Sequence, residues 1–185
     1  MSDKKILINM FHPHFEESRG NKALFEAAGT LPNVTLRNMY DIYPDFKIDV
    51  AVEQEFLLSH DVIVFQHPLF WLSCPSLFKE WQDNVFQKGF AFPPGVGDKL
   101  AGKIWQTVLT SGGPEEGYTK EGPFKADFED ILLPFRLTAT YCSMQWKTPF
   151  TVTSVMPVDS SGMRAISEEE LQQKVSEYVA LLESF

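Results

Sequence analysis

The sequence predicts an α/β domain built on an open parallel sheet with helices on both faces. Three observations carry this. Strand-like apolar runs alternate with helix-like stretches five times along the 185 residues. The most strand-like run, Asp61 to Gln66, is apolar almost throughout and lacks the alternation of a half-exposed strand, as expected of one buried on both faces. No composition shift, repeat or low-complexity segment divides the chain, so residues 1–185 are read as one domain. That length suffices to bury about 70% of the unfolded surface.

The first strand is Ile6-Leu7-Ile8-Asn9-Met10-Phe11, too short and too β-branched to be a helix. It breaks at His12-Pro13, and a helical pattern runs from Ser18 to a stop at Gly29, with Ser18 as the expected N-cap. Val34 to Met39 alternates as a half-buried strand. A helix from about Asp49 is expected to carry Val52, Phe56 and Leu57 on one side and to turn Glu53 and Glu55 elsewhere. Pro68 ends the Asp61–Gln66 strand, and Pro75 opens a helix through Phe86. Lys103 to Thr110 is the next strand. A helix is expected near Phe124–Leu133, ended by Pro134, and a final strand over Arg136–Met144. Ser167 ahead of three glutamates predicts a capping box on a last helix, Glu168 to Phe185.

In such sheets ligands bind beyond the carboxyl ends of the strands, where the strand order reverses. Three polar or glycine-rich breaks fall at such ends: His12–Asn21, His67–Leu72 and Thr110–Gly113. The first is a strand, a polar loop and a helix N-terminus, whose unpaired N–H groups and dipole suit a phosphate. Its spacing is neither a P-loop nor a dinucleotide fingerprint, and Gly20 is the one glycine in the turn. A phosphate there would be held by Ser18 and Asn21 side chains with backbone N–H groups; a strand–loop–helix unit that binds nothing is the alternative. Gly112 and Gly113 would let backbone donors approach a ligand closely.

A formal net charge of −9 argues against a nucleic-acid backbone or an anionic membrane surface as the main partner. Two cysteines, Cys74 and Cys142, make no disulfide framework and no metal-ligand spacing, which suits a reducing compartment. Neither a signal peptide nor a membrane-spanning run is apparent, so a cytoplasmic location is expected. Aromatics reach 14%, with sixteen Phe, a surplus that fits core, subunit interface or stacking on a planar ligand.

Several separated motifs resemble one family: His12-Pro13 with Ser18-x-x-Asn21, Tyr43-Pro44-Asp45-Phe46-x-x-Asp49, Gln66-His67-Pro68-x-x-Trp71, Lys79-x-Trp81-x-Asp83 and Thr110-Ser111-Gly112-Gly113. In this order they resemble the flavodoxin-like NAD(P)H:quinone oxidoreductases, most of all the bacterial ancillary flavoproteins of glutathione-gated potassium efflux systems. The resemblance runs from Ile6 to about Phe150. It implies a flavodoxin-like three-layer sandwich with a five-stranded parallel sheet in order 2-1-3-4-5, a homodimer, and FMN as cofactor, with FAD the alternative.

The resemblance further implies that His12, Ser18, Arg19, Gly20 and Asn21 hold the flavin phosphate. Leu69, Phe70, Trp71 and Leu72 would lie along the isoalloxazine, and Thr110, Ser111, Gly112 and Gly113 would reach its polar edge, where backbone donors favour negative charge on the reduced ring. Trp71 is read as a wall for flavin or substrate, or else a subunit contact. Tyr118 is the tentative catalytic residue, a hydrogen-bond donor to reduced flavin, or else loop filler. His67 is read as structural and Cys74 as inert.

Departures from the family pattern are Leu72, where a Tyr is common, Ser111, where Thr or Gly is frequent, and Phe124, which stands where mammalian relatives have the His of a Tyr–His relay. The activity implied is hydride transfer from NAD(P)H through flavin to a quinone, with ping-pong kinetics. The alternative is a regulatory subunit that activates a membrane potassium/proton antiporter, peripheral at the inner face of the membrane. An electron carrier with an acidic docking surface is the third reading.

Overall fold

The structure, a computed structural model, describes residues 4–156 and 164–185. Its frame is a parallel sheet of β1 (Ile6–Met10), β2 (Val34–Asn38), β3 (Val62–Pro68), β4 (Ile104–Thr110), β5 (Gln145–Trp146) and β6 (Phe150–Val152). The order is β2-β1-β3-β4-β5, with β6 also pairing β4. β5 pairs with Ile104 and Trp105, and β6 with Val108 to Thr110, so the two short strands fill one edge position in succession. Between them the Gln106 side chain donates its Nε2–H to Thr148 O at 3.0 Å, taking the place of a ladder bond. The implied 2-1-3-4-5 sheet is therefore present, its fifth position split in two.

Helices cover both faces: α1 (Arg19–Ala28), α2 (Met39–Ile42), α3 (Val50–Ser59), α4 (Ser76–Val85), α5 (Phe128–Ile131), α6 (Leu133–Tyr141) and α7 (Glu168–Glu183). Strand alternation sends Ile6, Ile8, Val62, Val64 and Val108 against α1 and α7. Leu7, Ile63, Phe65, Trp105 and Leu109 face α3, α4 and α6. This second face holds much of the aromatic surplus; Phe78 stacks on Phe135 at 5.3 Å and on Phe65 at 5.0 Å. The β1–β3 junction is where the strand order reverses, and the loops after these two strands leave from the same rim.

Four expectations are corrected. Arg136–Met144 is not a strand: residues 133–141 form α6, with Pro134 in its first turn, where a missing N–H costs nothing. The Leu-Thr-Ala-Thr-Tyr alternation mimics a strand, but Phe135, Ala139 and Cys142 fall at helical spacing and are the residues buried. Thr138 and Thr140 return their hydroxyl hydrogens to Pro134 O and Arg136 O, each at 2.9 Å. The helix expected over Phe124–Leu133 shrinks to α5, since Lys125 adopts φ +52. Pro134 begins a helix instead of ending one.

Glu53 does not face solvent. It is fully buried, and Val52 is the exposed neighbour. Glu53 takes a two-pronged ion pair from Arg37 (2.5 and 2.6 Å), Tyr43 O–H at 2.5 Å and Trp81 Nε1–H at 2.8 Å. The Arg37 guanidinium lies 3.9 Å from the Phe56 ring centre. Four donated hydrogens offset the cost of burying the carboxylate, and they join β2, α3 and α4. Burial and the adjacent Glu53 push the Tyr43 phenol up to about 12.

The Ser167 capping box is present: Ser167 Oγ accepts Glu170 N–H at 3.1 Å, and Glu170 Oε2 accepts Ser167 N–H at 2.9 Å. Those bonds hold the Glu170 carboxyl down at about 2. No helix among the described residues is long and apolar enough to cross a membrane.

Candidate functional site

The three polar breaks converge on one rim. β1 gives way to His12, and a short turn at Phe15–Glu17 leads to Ser18 at the N-cap of the ten-residue α1. Ser18 holds the extended N-cap conformation but makes no side-chain capping bond, so the expected cap is corrected. Its hydroxyl and the first N–H groups of α1 remain a donor set for an anion.

Asn21 ties this turn to the sheet. Its Nδ2–H donates to Thr110 Oγ1 at 2.6 Å, and its backbone carbonyl accepts Gln66 Nε2–H at 2.8 Å. All three residues are buried at the ends of α1, β4 and β3. Thr110 O in turn accepts Leu69 N–H at 2.7 Å, which draws in the loop after β3. The Phe70 ring meets His12 edge-on at 6.0 Å.

Past Leu69 the chain makes a tight reversal, with Phe70 bridging Ser73. Trp71 and Leu72 both take positive φ, +50 and +56, which branched and bulky residues rarely adopt. Trp71 is fully exposed, and Leu72 is partly so, at 42%. Two strained residues thus hold a large flat side chain out over the rim.

Gly20 is buried, and a Cβ there would lie 2.8 Å from Val155 Cγ1. A Cβ on Gly112 would lie 2.5 Å from Met156 Sδ, and one on Gly113 3.0 Å from the Tyr118 oxygen. The segment after β6 therefore crosses Gly20 and Gly112. It is fixed there by Ser111 N–H to Val152 O (2.9 Å), Val155 N–H to Ser111 O (3.1 Å) and Ser154 N–H to Gly113 O (3.0 Å).

A family model described as Flavodoxin-like fold matches residues 4–181. The chain belongs to this family.

The flavodoxin-like chain is 48% identical over 148 residues to the glutathione-regulated potassium-efflux system ancillary protein KefG of Enterobacter sp. (strain 638), covering 80% of each chain. Among solved structures it is similar to one described as a thermophilic tryptophan halogenase from Streptomycin violaceusniger. That likeness has a TM-score of 0.85, 33% identity, and 93% and 95% coverage of the two chains. It is also similar to general stress protein 14 of Treponema denticola, solved in complex with FMN: TM-score 0.86, 31% identity, 97% and 98% coverage.

Within this flavodoxin-like frame the predicted residues divide by what they touch. Arg19 points away from the rim, donating to Ile166 O at 2.7 Å and pairing with Glu168 at 3.1 Å. The Asn21 side chain is engaged internally, so it positions the helix N-terminus, and its part in an anion site reduces to backbone. His12 accepts His14 N–H on Nδ1 at 3.1 Å, which leaves the proton on Nε2. Burial, then His14, holds its pKa below the usual 6.5, so the ring is a neutral donor in this state.

Tyr118 is buried, its hydroxyl paired with Ser111 Oγ and its ring stacked on Phe124 and Phe128. It is not an exposed loop side chain. His67 bonds Pro68 O through Nδ1 at 2.9 Å beneath the rim, as a structural residue would. Burial raises the Cys74 and Cys142 thiols, the latter to about 11, so both favour the unreactive thiol form.

Sequence reasoning placed Gln66 in a family motif but not its bond to Asn21, and it missed Val155 and Met156. A lone amide in an otherwise apolar strand was a legible signal for the Gln66 bond. Val155 and Met156 could not be placed because they follow β6, which lies beyond the strand expected over Arg136–Met144.

Proposed function

We propose that this protein is an FMN-binding NAD(P)H:quinone oxidoreductase. The observation that carries the reading is the Thr110 junction, where the α1 N-terminus, the Trp71 loop and the Gly112–Gly113 turn are linked by buried hydrogen bonds. The residues suit FMN: an uncapped helix start with a spare hydroxyl for a terminal phosphate, an aromatic wall, and a glycine turn for a flat polar edge. The FMN complex of the Treponema denticola protein supports the same choice.

Bound here, FMN would supply a ring able to accept two electrons as a hydride and to pass them on. Ser18 and the first α1 N–H groups would hold its phosphate, with His12 donating from Nε2. Leu69, Phe70, Trp71 and Leu72 would cover one side and exclude water. Thr110, Ser111, Gly112, Gly113 and Tyr118 would meet the polar edge with donors, favouring charge there. NAD(P)H and quinone would use one open face in turn, which gives ping-pong kinetics. A homodimer would bury the exposed Trp71 and Leu72.

Purified protein loaded with FMN should turn yellow, retain about one flavin per chain through gel filtration, and oxidise NADH or NADPH with menadione along parallel double-reciprocal lines. Protein that stays colourless after reconstitution overturns the reading.

A second reading is favoured by the 48% identity to an ancillary protein of a potassium-efflux system. Here the flavoprotein docks on a membrane antiporter from the cytoplasmic side, and turnover is secondary. Potassium efflux from vesicles carrying the antiporter, with and without this protein, separates the two. Unchanged efflux removes the regulatory reading. Rapid oxidation of NAD(P)H without a partner reductase removes that of a simple electron carrier.

A further inference from the structure

Ser111 and Tyr118 place two hydroxyls in contact at the foot of the Gly112–Gly113 turn. The residues are 3% and 8% exposed, so water does not compete for the pair. Ser111 Oγ also accepts Gly113 N–H at 3.2 Å. Backbone bonds from Val155 and to Val152 fix the Ser111 peptide on both sides. The Tyr118 ring is held by stacking on Phe128 at 4.5 Å and Phe124 at 5.4 Å, surfaces that give its hydroxyl no polar partner. Gly113 is part of the arrangement, since any Cβ there would press on the phenol oxygen.

Two hydroxyls joined by one hydrogen bond place a single hydrogen between their oxygens. The second hydrogen must point to a third group. With Gly113 N–H already on Ser111 Oγ, a phenol that donates to the serine leaves the serine hydrogen directed outward. If the serine donates, the phenol hydrogen is the one left.

We propose that Ser111 is a positioning residue for Tyr118, fixing the phenol so that the pair's unshared hydrogen is presented to the polar edge of a ring seated on the Gly112–Gly113 turn. The inference rests on the FMN reading above and adds a specific partner for Tyr118. Both hydroxyls act as one unit, so removing either removes the same interaction.

The test compares wild type, Ser111→Ala, Ser111→Thr, Tyr118→Phe and the Ser111→Ala/Tyr118→Phe double variant, each loaded with FMN. The midpoint potential is measured by equilibration with a reference dye. Ser111→Ala and Tyr118→Phe should each lower the preference for reduced over oxidised FMN about tenfold, about 30 mV for a two-electron couple. The double variant should fall no further than either single one, and Ser111→Thr should stay within about twofold of wild type. A Ser111→Ala potential equal to wild type, or a double variant showing the sum of the singles, overturns the proposal.

A proton NMR spectrum of the flavin-free protein gives an independent readout. One slowly exchanging hydroxyl proton, on Tyr118 or on Ser111, should be seen in wild type and Ser111→Thr and be lost in Ser111→Ala; absence of both from wild type overturns the pairing. Wild type that takes up no FMN in a fluorescence titration brings down the function and this role together. Uptake with an unchanged Ser111→Ala potential brings down this role alone.

Discussion

Asn21 and Thr110, 89 residues apart in the chain, are joined by a buried hydrogen bond of 2.6 Å from amide to hydroxyl. The bond spans the sheet rim from the first turn of α1 to the last residue of β4. Two loops with no sequence proximity are thereby held at one fixed separation.

Asn21→Ala should therefore act on both stability and binding. Thr110 Oγ1 loses its donor in a dry environment, which costs about 1–3 kcal/mol. FMN affinity should drop at least tenfold, because the α1 N-terminus is no longer held against the Gly112 turn. Urea denaturation and a fluorescence titration measure the two effects. A stability loss with unchanged affinity would separate the bond from the site.

Gly112→Val should spare the fold and lose the flavin. The added carbon collides with Met156, a flexible side chain that is largely exposed and can swing away, so stability should change by about 1 kcal/mol or less. The displaced Met156 and the branched side chain together keep a ring edge from closing on the turn, and no flavin should survive gel filtration. A variant that stays yellow would refute the placement of this turn at the ring.

Removing the Glu53 charge should be among the most damaging single changes. Glu53→Gln leaves the Arg37 guanidinium buried without an anion, and breaking a buried pair from one side costs about 3–5 kcal/mol. The urea midpoint should fall accordingly. A variant as stable as wild type would mean that Arg37 finds another partner.

His67 makes the fold sensitive to acid. The ring is fully buried, and desolvation lowers its pKa from 6.5 to about 4. Nδ1–H faces Pro68 O, while bare Nε2 lies among the Phe78 and Phe135 rings without a partner. Above pH 6.5 the imidazole is neutral in both states and exacts nothing. Between 6.5 and about 4 the unfolded chain takes up a proton that the folded state refuses, so stability falls with pH, by about 3 kcal/mol in all. His67→Gln should lose less stability than wild type between pH 7 and pH 4.5 in urea titrations. Equal slopes would mean that His67 protonates normally in the fold.

The strands β1, β3 and β4 were legible because each is a short apolar run bounded by charged, proline or glycine residues. The three rim breaks were legible for the same reason, since polar and glycine residues interrupt apolar runs there at strand ends. Arg136–Met144 misled because threonines at every second position imitate a strand, and only packing of Phe135 and Ala139 reveals the helix. Glu53 misled because a carboxylate read alone is a surface group.

By itself the sequence determined the alternation of strands and helices and which loops end at the sheet's carboxyl rim, since both follow from the local order of apolar and polar residues; the family came from the resemblance of its separated motifs. The tertiary structure alone decided what each polar side chain does there. Arg19 turned out to serve α7, Asn21 to bind Thr110, Ser111 to hold Tyr118, and Glu53 to be buried on Arg37. A hydrogen bond depends on distance and desolvation between groups far apart in the chain, and neither quantity is written in local sequence.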